Sequence, residues 1–230
     1  MAKVMKRQGM YLVHQGARFL LISLVWLLLA GGLAVGVHPL LALLALPGAL
    51  KAAARYTRYK KGLAGEQAVS QALMGLDDSY YIVHDAPIGG ANIDHIVIGP
   101  NGIFVLETKH FSRRVECQGD RWWVVSRAGG SARRMWKSPS LQAKRNAAKV
   151  RNRIRKFERR ILRGFPRVQW VHAMVVLSHP KVDLLVRFPT AGVVRLGELV
   201  QTIKMTRSPV RLPPEACTKI GFALLGMTEK

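Results

Sequence analysis

The stretch NIDHIVIGPNGIFVLETKH, residues 92–110, consists of two apolar runs joined by a turn. The first run, 93–98, and the second, 103–109, are rich in β-branched and aromatic residues, which favours strands. The Asn101-Gly102 pair between them is a strong signal for a β-hairpin, because both residues tolerate the positive φ that the tightest hairpin turns require. The sequence therefore predicts two antiparallel strands here.

Three charged residues interrupt this apolar hairpin. Residues two apart in a strand share a face, so Glu107 and Lys109 point the same way. A turn centred on residues 100–101 sets Asp94 opposite Glu107, whereas a turn centred on 101–102 sets it opposite Lys109. In both registers the three side chains gather at the end of the hairpin away from the turn.

This charged cluster requires compensation. Like charges that face each other across a β-ladder are destabilising, and charges surrounded by Ile, Val and Phe lower stability unless they are paired. A divalent cation would pair them, and Mg²⁺ or Mn²⁺ prefers oxygen ligands of this kind. A salt-bridge cluster on a solvated sheet face is the competing interpretation, but the apolar neighbours favour the metal site.

The charge balance of the chain indicates a polyanionic partner. Its 230 residues carry 36 Lys and Arg against 13 Asp and Glu, which gives a formal net charge of +23. This excess exceeds what solubility requires and favours nucleic acid, an anionic membrane surface or both. The two cysteines offer neither a disulfide framework nor metal-ligand spacing, which fits a reducing compartment.

The N-terminal part of the chain predicts a membrane anchor. Residues 1–18 are a basic segment, and residues 19–50 contain no formally charged side chain. One helix of that length would measure about 48 Å against a hydrocarbon core of about 30 Å, and the glycines and the His-Pro pair in its middle favour a turn. We therefore expect a two-segment transmembrane hairpin over residues 19–54, with segments at about 19–37 and 39–54.

Basic residues flank this apolar region on both sides. The second flank, residues 55–61, would be a basic juxtamembrane linker. The positive-inside tendency places both flanks in the cytoplasm, so the domain of residues 62–230 would face the cytoplasm from the inner membrane. A secretory signal peptide is the competing interpretation, but its apolar core runs only about 7–15 residues.

A strongly basic helix is predicted to begin at Ser138-Pro139, which form a cap and a first-turn residue, and to run to about Arg163. Between residues 144 and 163 it holds ten Lys or Arg and one acidic residue. Because a solvated helix gains from mixed charge signs, this surface favours an anion nearby, either a phosphate backbone or anionic lipid. The residues expected to contact nucleic acid are Lys144, Arg145, Lys149, Arg151, Arg153 and Arg155.

The remaining patterned segments predict an α/β domain. Strands are expected at residues 80–84, 114–117, 121–126, 171–178 and 191–195, and helices at 62–76, 196–205 and 213–227. The nearly continuous apolar run at 171–178 is typical of a strand covered on both faces. This order gives a mixed sheet flanked by helices.

The hairpin residues resemble a known nuclease core. Asp94 followed by Glu107-Thr108-Lys109 resembles the PD-(D/E)xK nuclease core, and the whole ordered set of motifs is similar to that of the nuclease-related domain, or NERD, family. The motifs are Gly62-x-x-Gly65-Glu66, Ile93-Asp94-His95-Ile96-Val97-Ile98-Gly99, Asn101-Gly102-Ile103-Phe104, Glu107-Thr108-Lys109 and Pro139-x-x-Gln142. The chain departs from the family pattern in having Ile before Asp94 and Ser138 where Asn is common.

The resemblance implies a restriction-endonuclease-like fold and metal-dependent hydrolysis of phosphodiester bonds. Asp94 and Glu107 would ligate Mg²⁺ or Mn²⁺, with Glu66 as an additional ligand or base. Lys109 would orient or help deprotonate the attacking water, or stabilise developing charge. Gln142 would support the site or contact substrate.

The leading hypothesis is therefore a membrane-anchored, metal-dependent nuclease that acts on DNA or RNA. No base-reading motif is visible, so we expect weak sequence preference. One alternative is a non-catalytic membrane tether that binds nucleic acid, and a second is a protein whose basic helix lies on anionic lipid. Metal-dependent cleavage separates the first hypothesis from the other two.

Overall fold

The structure is a computed structural model in which residues 1–6, 10–36, 46–126, 130–165, 167–168, 170–208 and 211–226 are described. The chain divides into two compact units. The smaller is Gly9–Ala64, and the larger combines Met1–Gln8 with Gly65–Lys230.

The smaller unit is an antiparallel pair of helices. Helix α1 spans Met10–Gly36, and helix α2 spans Leu46–Leu73, so that α2 continues into the larger unit. The ring of Tyr59 lies against Gly16, and the ring of Trp26 lies against Gly48. Large rings lie over glycines in both contacts, because only a residue without a side chain leaves room for them.

The apolar N-terminal region was predicted to cross a membrane. Among the described residues, no helix meets the length and hydropathy needed to cross a bilayer. The structure therefore gives no support to the transmembrane hairpin over residues 19–54, whose predicted turn at His38-Pro39 lies outside the described residues. The segment 55–61, predicted as a linker, lies within α2.

The described part of the larger unit contains two sheets. In chain order the strands are β1 (Lys3–Lys6), β2 (Tyr81–Ile88), β3 (Ala91–Gly99), β4 (Gly102–Lys109), β5 (Val115–Gln118), β6 (Arg121–Val125), β7 (Ala132–Arg134), β8 (His172–Leu177), β9 (Leu184–Arg187) and β10 (Gly192–Arg195). The first sheet has the order β1-β2-β3-β4-β8-β10 and the second β7-β6-β5-β9. The helices are α3 (Pro139–Ile161), α4 (Leu199–Met205), which follows a 3-10 turn at Leu196–Glu198, and α5 (Pro214–Leu225).

Both sheets mix parallel and antiparallel pairs, and helices cover both faces of the larger one. β4 is antiparallel to β3 and parallel to β8. Residues of α3 and α5 share one hydrophobic cluster with one face of the hairpin, and residues of α2 and α4 share a second cluster with the other face. The expectation of a mixed sheet flanked by helices is confirmed. Burial on both faces explains why β4 is a continuous apolar run up to Glu107.

The hairpin turn settles the register that the sequence left open. Gly99 pairs with Gly102, so Pro100-Asn101 is the loop. The Asn101 amide donates to the carbonyls of Ile203 and Thr206, at 2.5 and 2.9 Å. These tertiary hydrogen bonds fix the turn. The ladder runs from Gly99–Gly102 to His95–Leu106, and its extension by one residue sets Asp94 opposite Glu107.

Three strands were not predicted. β1 pairs in parallel with β2 at the sheet edge, where Lys3 N donates to the Tyr80 carbonyl at 2.9 Å. The basic segment 1–18 is therefore not one element, because its first residues join a sheet partner that lies far away in sequence. β7 and β9 are equally short strands, of 3 and 4 residues, whose pairing depends on neighbours rather than on a local pattern.

Gly65 allows α2 to approach the end of β8. A Cβ at Gly65 would lie 2.6 Å from Ser178 Oγ and 3.1 Å from the Cβ of His110. Ser178 Oγ and His110 Nδ1 are themselves hydrogen-bonded at 3.0 Å, so neither side chain moves without disturbing the other. This close approach fixes the position of the neighbouring residue, Glu66.

We expect Gly65→Ala to lower the free energy of unfolding by about 1–3 kcal/mol, because the added methyl group overpacks the contact. Gly62→Ala is the matched control, since Gly62 lies in the same helix and a Cβ there meets nothing within 4 Å. That variant should be more stable by about 0.5–1 kcal/mol, as glycine is unfavourable inside helices. Urea unfolding of both full-length variants measures the difference, and effects of the same sign would contradict the close approach.

Candidate active site

The end of β4 carries an ion pair. Lys109 Nζ donates to Glu107 Oε1 at 2.5 Å. The Glu107 side chain is 2% exposed and that of Lys109 is 24% exposed. The alternation of the strand places both on one face, as predicted, and the site therefore opens to solvent on the lysine side.

Helix α3 supplies two amides to this ion pair. Ser138 caps the helix by accepting from Leu141 N, and Pro139 occupies its first turn, as predicted. Gln142 Oε1 accepts from Lys109 Nζ at 3.3 Å, and Asn146 Nδ2 donates to Glu107 Oε2 at 3.4 Å. Residues four apart on a helix lie on the same face, so α3 fixes both members of the ion pair.

Asp94 lies beside this pair. Its Oδ2 accepts from the backbone N of Thr108 at 3.1 Å. Burial raises the pKa of Asp94 well above its ordinary value, and the negative charges of Glu107 and Glu66 raise this pKa further. The Thr108 hydrogen bond and the Lys109 charge act in the opposite direction but do not compensate.

Glu107 also holds its proton more tightly than an ordinary carboxyl group. Burial raises the pKa of Glu107, although the charge and hydrogen bond of Lys109 lower it. One lysine thus faces two carboxylates that both have raised pKa values. The cluster contains more negative charge than its neighbours neutralise.

Helix α2 carries Glu66, whose charge acts on Asp94. Ser70, one helical turn later, donates to the Glu66 carbonyl at 3.0 Å, and its Oγ lies 3.0 Å from His95 Nε2. His95 is fully buried, and burial followed by the proximity of His84 lowers its pKa to about 3. Neutral His95 therefore links β3 to α2 next to Asp94.

Sequence reasoning did not identify Asn146, His95 and Ser70 as parts of this site. Asn146 follows Gln142 by four positions on a predicted helix, which is a signal that could have indicated it. His95 and Ser70 are 25 positions apart, and no local pattern connects them.

The donor atoms at the site suit a divalent cation. Carboxylate oxygens are the ligands that Mg²⁺ and Mn²⁺ prefer. Burial, which is the main cause of both raised pKa values, disfavours the ionised carboxylates, and a bound cation would stabilise them. Within the residues that the structure describes, however, no three His, Cys, Asp or Glu side chains are grouped closely enough to hold a metal ion. The donor types thus suit a divalent cation, but the described side chains are not arranged as a three-ligand site.

The six basic residues predicted to contact nucleic acid lie on two flanks of α3, on either side of its buried stripe. Lys144, Arg151 and Arg155 share one flank, and Arg145, Lys149 and Arg153 share the other, together with Gln142 and Asn146. Their environments differ. Lys144 Nζ is bound by Asp120 Oδ1 and Oδ2, at 2.8 and 2.9 Å, and by Thr190 Oγ1 at 3.0 Å.

The other five basic side chains have no ion pair of this kind within the described residues. The Arg153 guanidinium lies 4.7 Å from the centre of the Phe157 ring. Arg145 and Arg155 are exposed, and Lys149 and Arg151 are half-buried. Because Lys144 already pairs with both oxygens of the Asp120 carboxylate, it is the least suited of the six to bind phosphate.

The raised pKa of Asp94 makes stability depend on pH. Between the ordinary carboxyl pKa of 3.8 and the raised value, the folded protein binds more protons than the unfolded chain, so stability falls as pH rises through this window. The amide of Asp94→Asn lacks the charge but can still accept from Thr108 N. We expect this variant to unfold at a higher temperature than the wild type at pH 7 without divalent metal, and at a similar temperature below pH 3.8.

Asp120→Asn provides a control of opposite sign. Burial alone would raise the pKa of Asp120, but hydrogen bonds from Lys144 and Thr190 and the Lys144 charge outweigh burial and lower it. Its ionised form therefore contributes stability above the ordinary pKa, which is lost as pH falls through the lowered one. Asp120→Asn should be less stable than the wild type at pH 7. If both variants shift in the same direction, the electrostatic description of the cluster is wrong.

Comparison with known proteins places this site in a family. Residues 61–178, just over half of the chain, match the family described as nuclease-related domain, or NERD. An uncharacterized protein of Bacillus anthracis is 44% identical over 57 residues, which cover 22% of this chain and 27% of that protein. The chain thus spans about a quarter of the length of this relative. No solved structure matches the chain significantly.

The matched region begins in α2, just before Glu66, and ends at Ser178, just after β8. It therefore contains Glu66, the hairpin with Asp94, Glu107 and Lys109, and the part of α3 that bears Gln142. The expectation of the family is confirmed, and the chain belongs to the nuclease-related domain family, which is part of the PD-(D/E)xK-like nuclease superfamily.

Proposed function

We propose that the protein is a divalent-metal-dependent nuclease that hydrolyses phosphodiester bonds of DNA or RNA. The observation that carries this proposal is the unneutralised carboxylate cluster at the end of the hairpin. Asp94 and Glu107 both have raised pKa values, and the charges of Glu107 and Glu66 act on Asp94. Asp94 and Glu107 would hold Mg²⁺ or Mn²⁺, with Glu66 as a further ligand or base.

Each side chain has a distinct role in this proposal. When bound, the metal would polarise the phosphoryl group and lower the pKa of a bound water. Lys109, whose ammonium is partly exposed, would orient the attacking water or stabilise negative charge that develops on the phosphate. Gln142 holds the Lys109 ammonium, and Asn146 holds Glu107, so that both charged groups keep their positions.

The substrate class follows from charge. A chain with a formal net charge of +23 attracts a polyanion, and α3 carries basic residues on both flanks beside the carboxylates. Contacts with phosphates carry no sequence information directly, so we expect cleavage with weak sequence preference.

The proposal is tested by cleavage of labelled oligonucleotides with the full-length chain, purified in a mild detergent. Single-stranded DNA, double-stranded DNA and RNA are each incubated with Mg²⁺, Mn²⁺ or a chelator. We expect metal-dependent cleavage that falls at least about 100-fold in Asp94→Asn, because the loss of a ligand should exceed the effect of losing a residue that supports one. Glu215→Gln, which removes an exposed carboxylate on α5, is the control and should retain activity.

Thermal unfolding separates loss of metal from loss of fold. Mg²⁺ should raise the unfolding temperature of the wild type, since a ligand that binds only the folded state stabilises it, and should have little effect on Asp94→Asn. Cleavage that persists in chelator, or that Asp94→Asn leaves unchanged, would reject the proposal. Metal-independent binding without any cleavage would instead favour the non-catalytic nucleic-acid tether.

We also propose that α1 attaches the protein to the inner membrane, with the larger unit in the cytoplasm. The support is the exposure of large apolar side chains along α1, including Leu21, Leu24 and Leu28. Reconstitution of the full chain into anionic vesicles, followed by flotation and alkaline washing, tests this. A chain that remains with the soluble fraction would contradict it, and vesicle binding without oligonucleotide binding would favour the lipid-surface alternative.

A further inference from the structure

A cleft opens on the α3 side of the sheet, on the flank of α3 opposite Gln142 and Asn146. It lies between α3, the start of β8 and the segment that leads into β10, and its volume is about 490 Å³. This volume lies within the range of about 300–1,000 Å³ that is usual for small-molecule sites. None of the five residues predicted to form the catalytic site lines it.

The lining of the cleft suits a flat aromatic ring. Its walls include several small or apolar residues, among them Ala147, Ala148, Ala173 and Gly192. Trp170 also lines it, and the indole is 62% exposed although it belongs to one of the most hydrophobic residue types. An exposed indole beside an apolar cleft can stack on a nucleobase, because every base presents a π-face.

The same cleft contains an unpaired cation. Arg151 lines it, and Arg151 Nε is buried without a hydrogen-bond partner. No carboxylate among the described residues forms a salt bridge with this guanidinium. Lys144, the other cation of the lining, is occupied by Asp120. Arg151 is thus the cation available to bind an anion at this place.

The cleft lies beside β8, the strand that pairs with Glu107. His172, at the start of β8, lines the cleft, and Val175, three residues later, pairs with Glu107. Three residues of a strand span about 10 Å. The cleft lies on the flank of α3 that bears Lys144 and Arg151, whereas Gln142 and Asn146 contact the ion pair from the other flank. A nucleic-acid chain that reaches both places would therefore pass over α3.

We propose that this cleft binds one unpaired base of a single-stranded nucleic acid, with the base stacked on Trp170 and an adjacent phosphate held by Arg151. The inference rests on nucleic acid being the ligand, as in the proposed function, and it names the class as single-stranded. A duplex has no base free to enter the cleft, and a free nucleotide would lack the contacts that a strand makes on the rest of the basic surface.

The test measures binding of the full-length chain to a labelled five-nucleotide strand in chelator, where metal-dependent cleavage is absent. Trp170→Ala should weaken binding about 5- to 100-fold, and Trp170→Phe, which keeps an aromatic ring, should retain most of it. Trp136→Ala is the matched control, because Trp136 is 98% exposed outside the cleft. Arg151→Gln should weaken binding more than Arg113→Gln, which removes one exposed charge elsewhere.

Abasic substitution identifies the contact more directly. The base is removed from each position of the strand in turn. At one position, removal of the base should weaken binding to the wild type as much as Trp170→Ala does. Removal of the same base should not weaken binding to Trp170→Ala any further. A blunt-ended duplex long enough to remain paired should bind wild type and Trp170→Ala equally.

The outcomes separate this inference from the proposed function. Binding that depends on Trp170 and on one base, without any cleavage, supports the cleft and rejects the nuclease. Metal-dependent cleavage with no effect of Trp170→Ala or of abasic sites supports the nuclease and overturns the cleft. Equal affinity for adenosine monophosphate and for the strand overturns the assignment to a strand, and equal weakening of duplex binding by Trp170→Ala overturns the assignment to an unpaired base.

Discussion

The burial of Glu107 is the constraint on which the architecture of the site depends. β4 lies between β3 and β8 and is covered on both faces, so a carboxylate near its end loses most of its contact with water. Burial of a charge is unfavourable unless the charge is paired and hydrogen-bonded. Lys109 and Asn146 provide this compensation, and Asp94 adds a second negative charge that remains only partly balanced.

Helix α3 combines two tasks through its periodicity. One stripe, which includes Ala143, Ala147, Val150 and Ile154, is buried against the sheet, and the neighbouring positions 142 and 146 carry the amides that reach the ion pair. The apolar contacts thus determine where the amides lie. The basic side chains occupy what remains of the helix surface, which explains why they divide into two flanks.

Local signals explain how much could be predicted from the sequence. The hairpin, the buried strand β8 and the Ser138-Pro139 start of α3 each depend on residues close together in the chain, and each was predicted. The hairpin register remained open because the bonds that fix Asn101 come from residues more than 100 positions away. β1 and the His95–Ser70 contact were missed for the same reason, since each depends on a partner distant in sequence.

The short strand β1 has a consequence for how the protein can be handled. It occupies the outer edge of the larger sheet beside β2, with an irregularity between Val4 and Lys6, and short irregular edges discourage further strands from adding to a sheet. Deletion of the first six residues would uncover the backbone of β2 as a template for intermolecular β-pairing and aggregation.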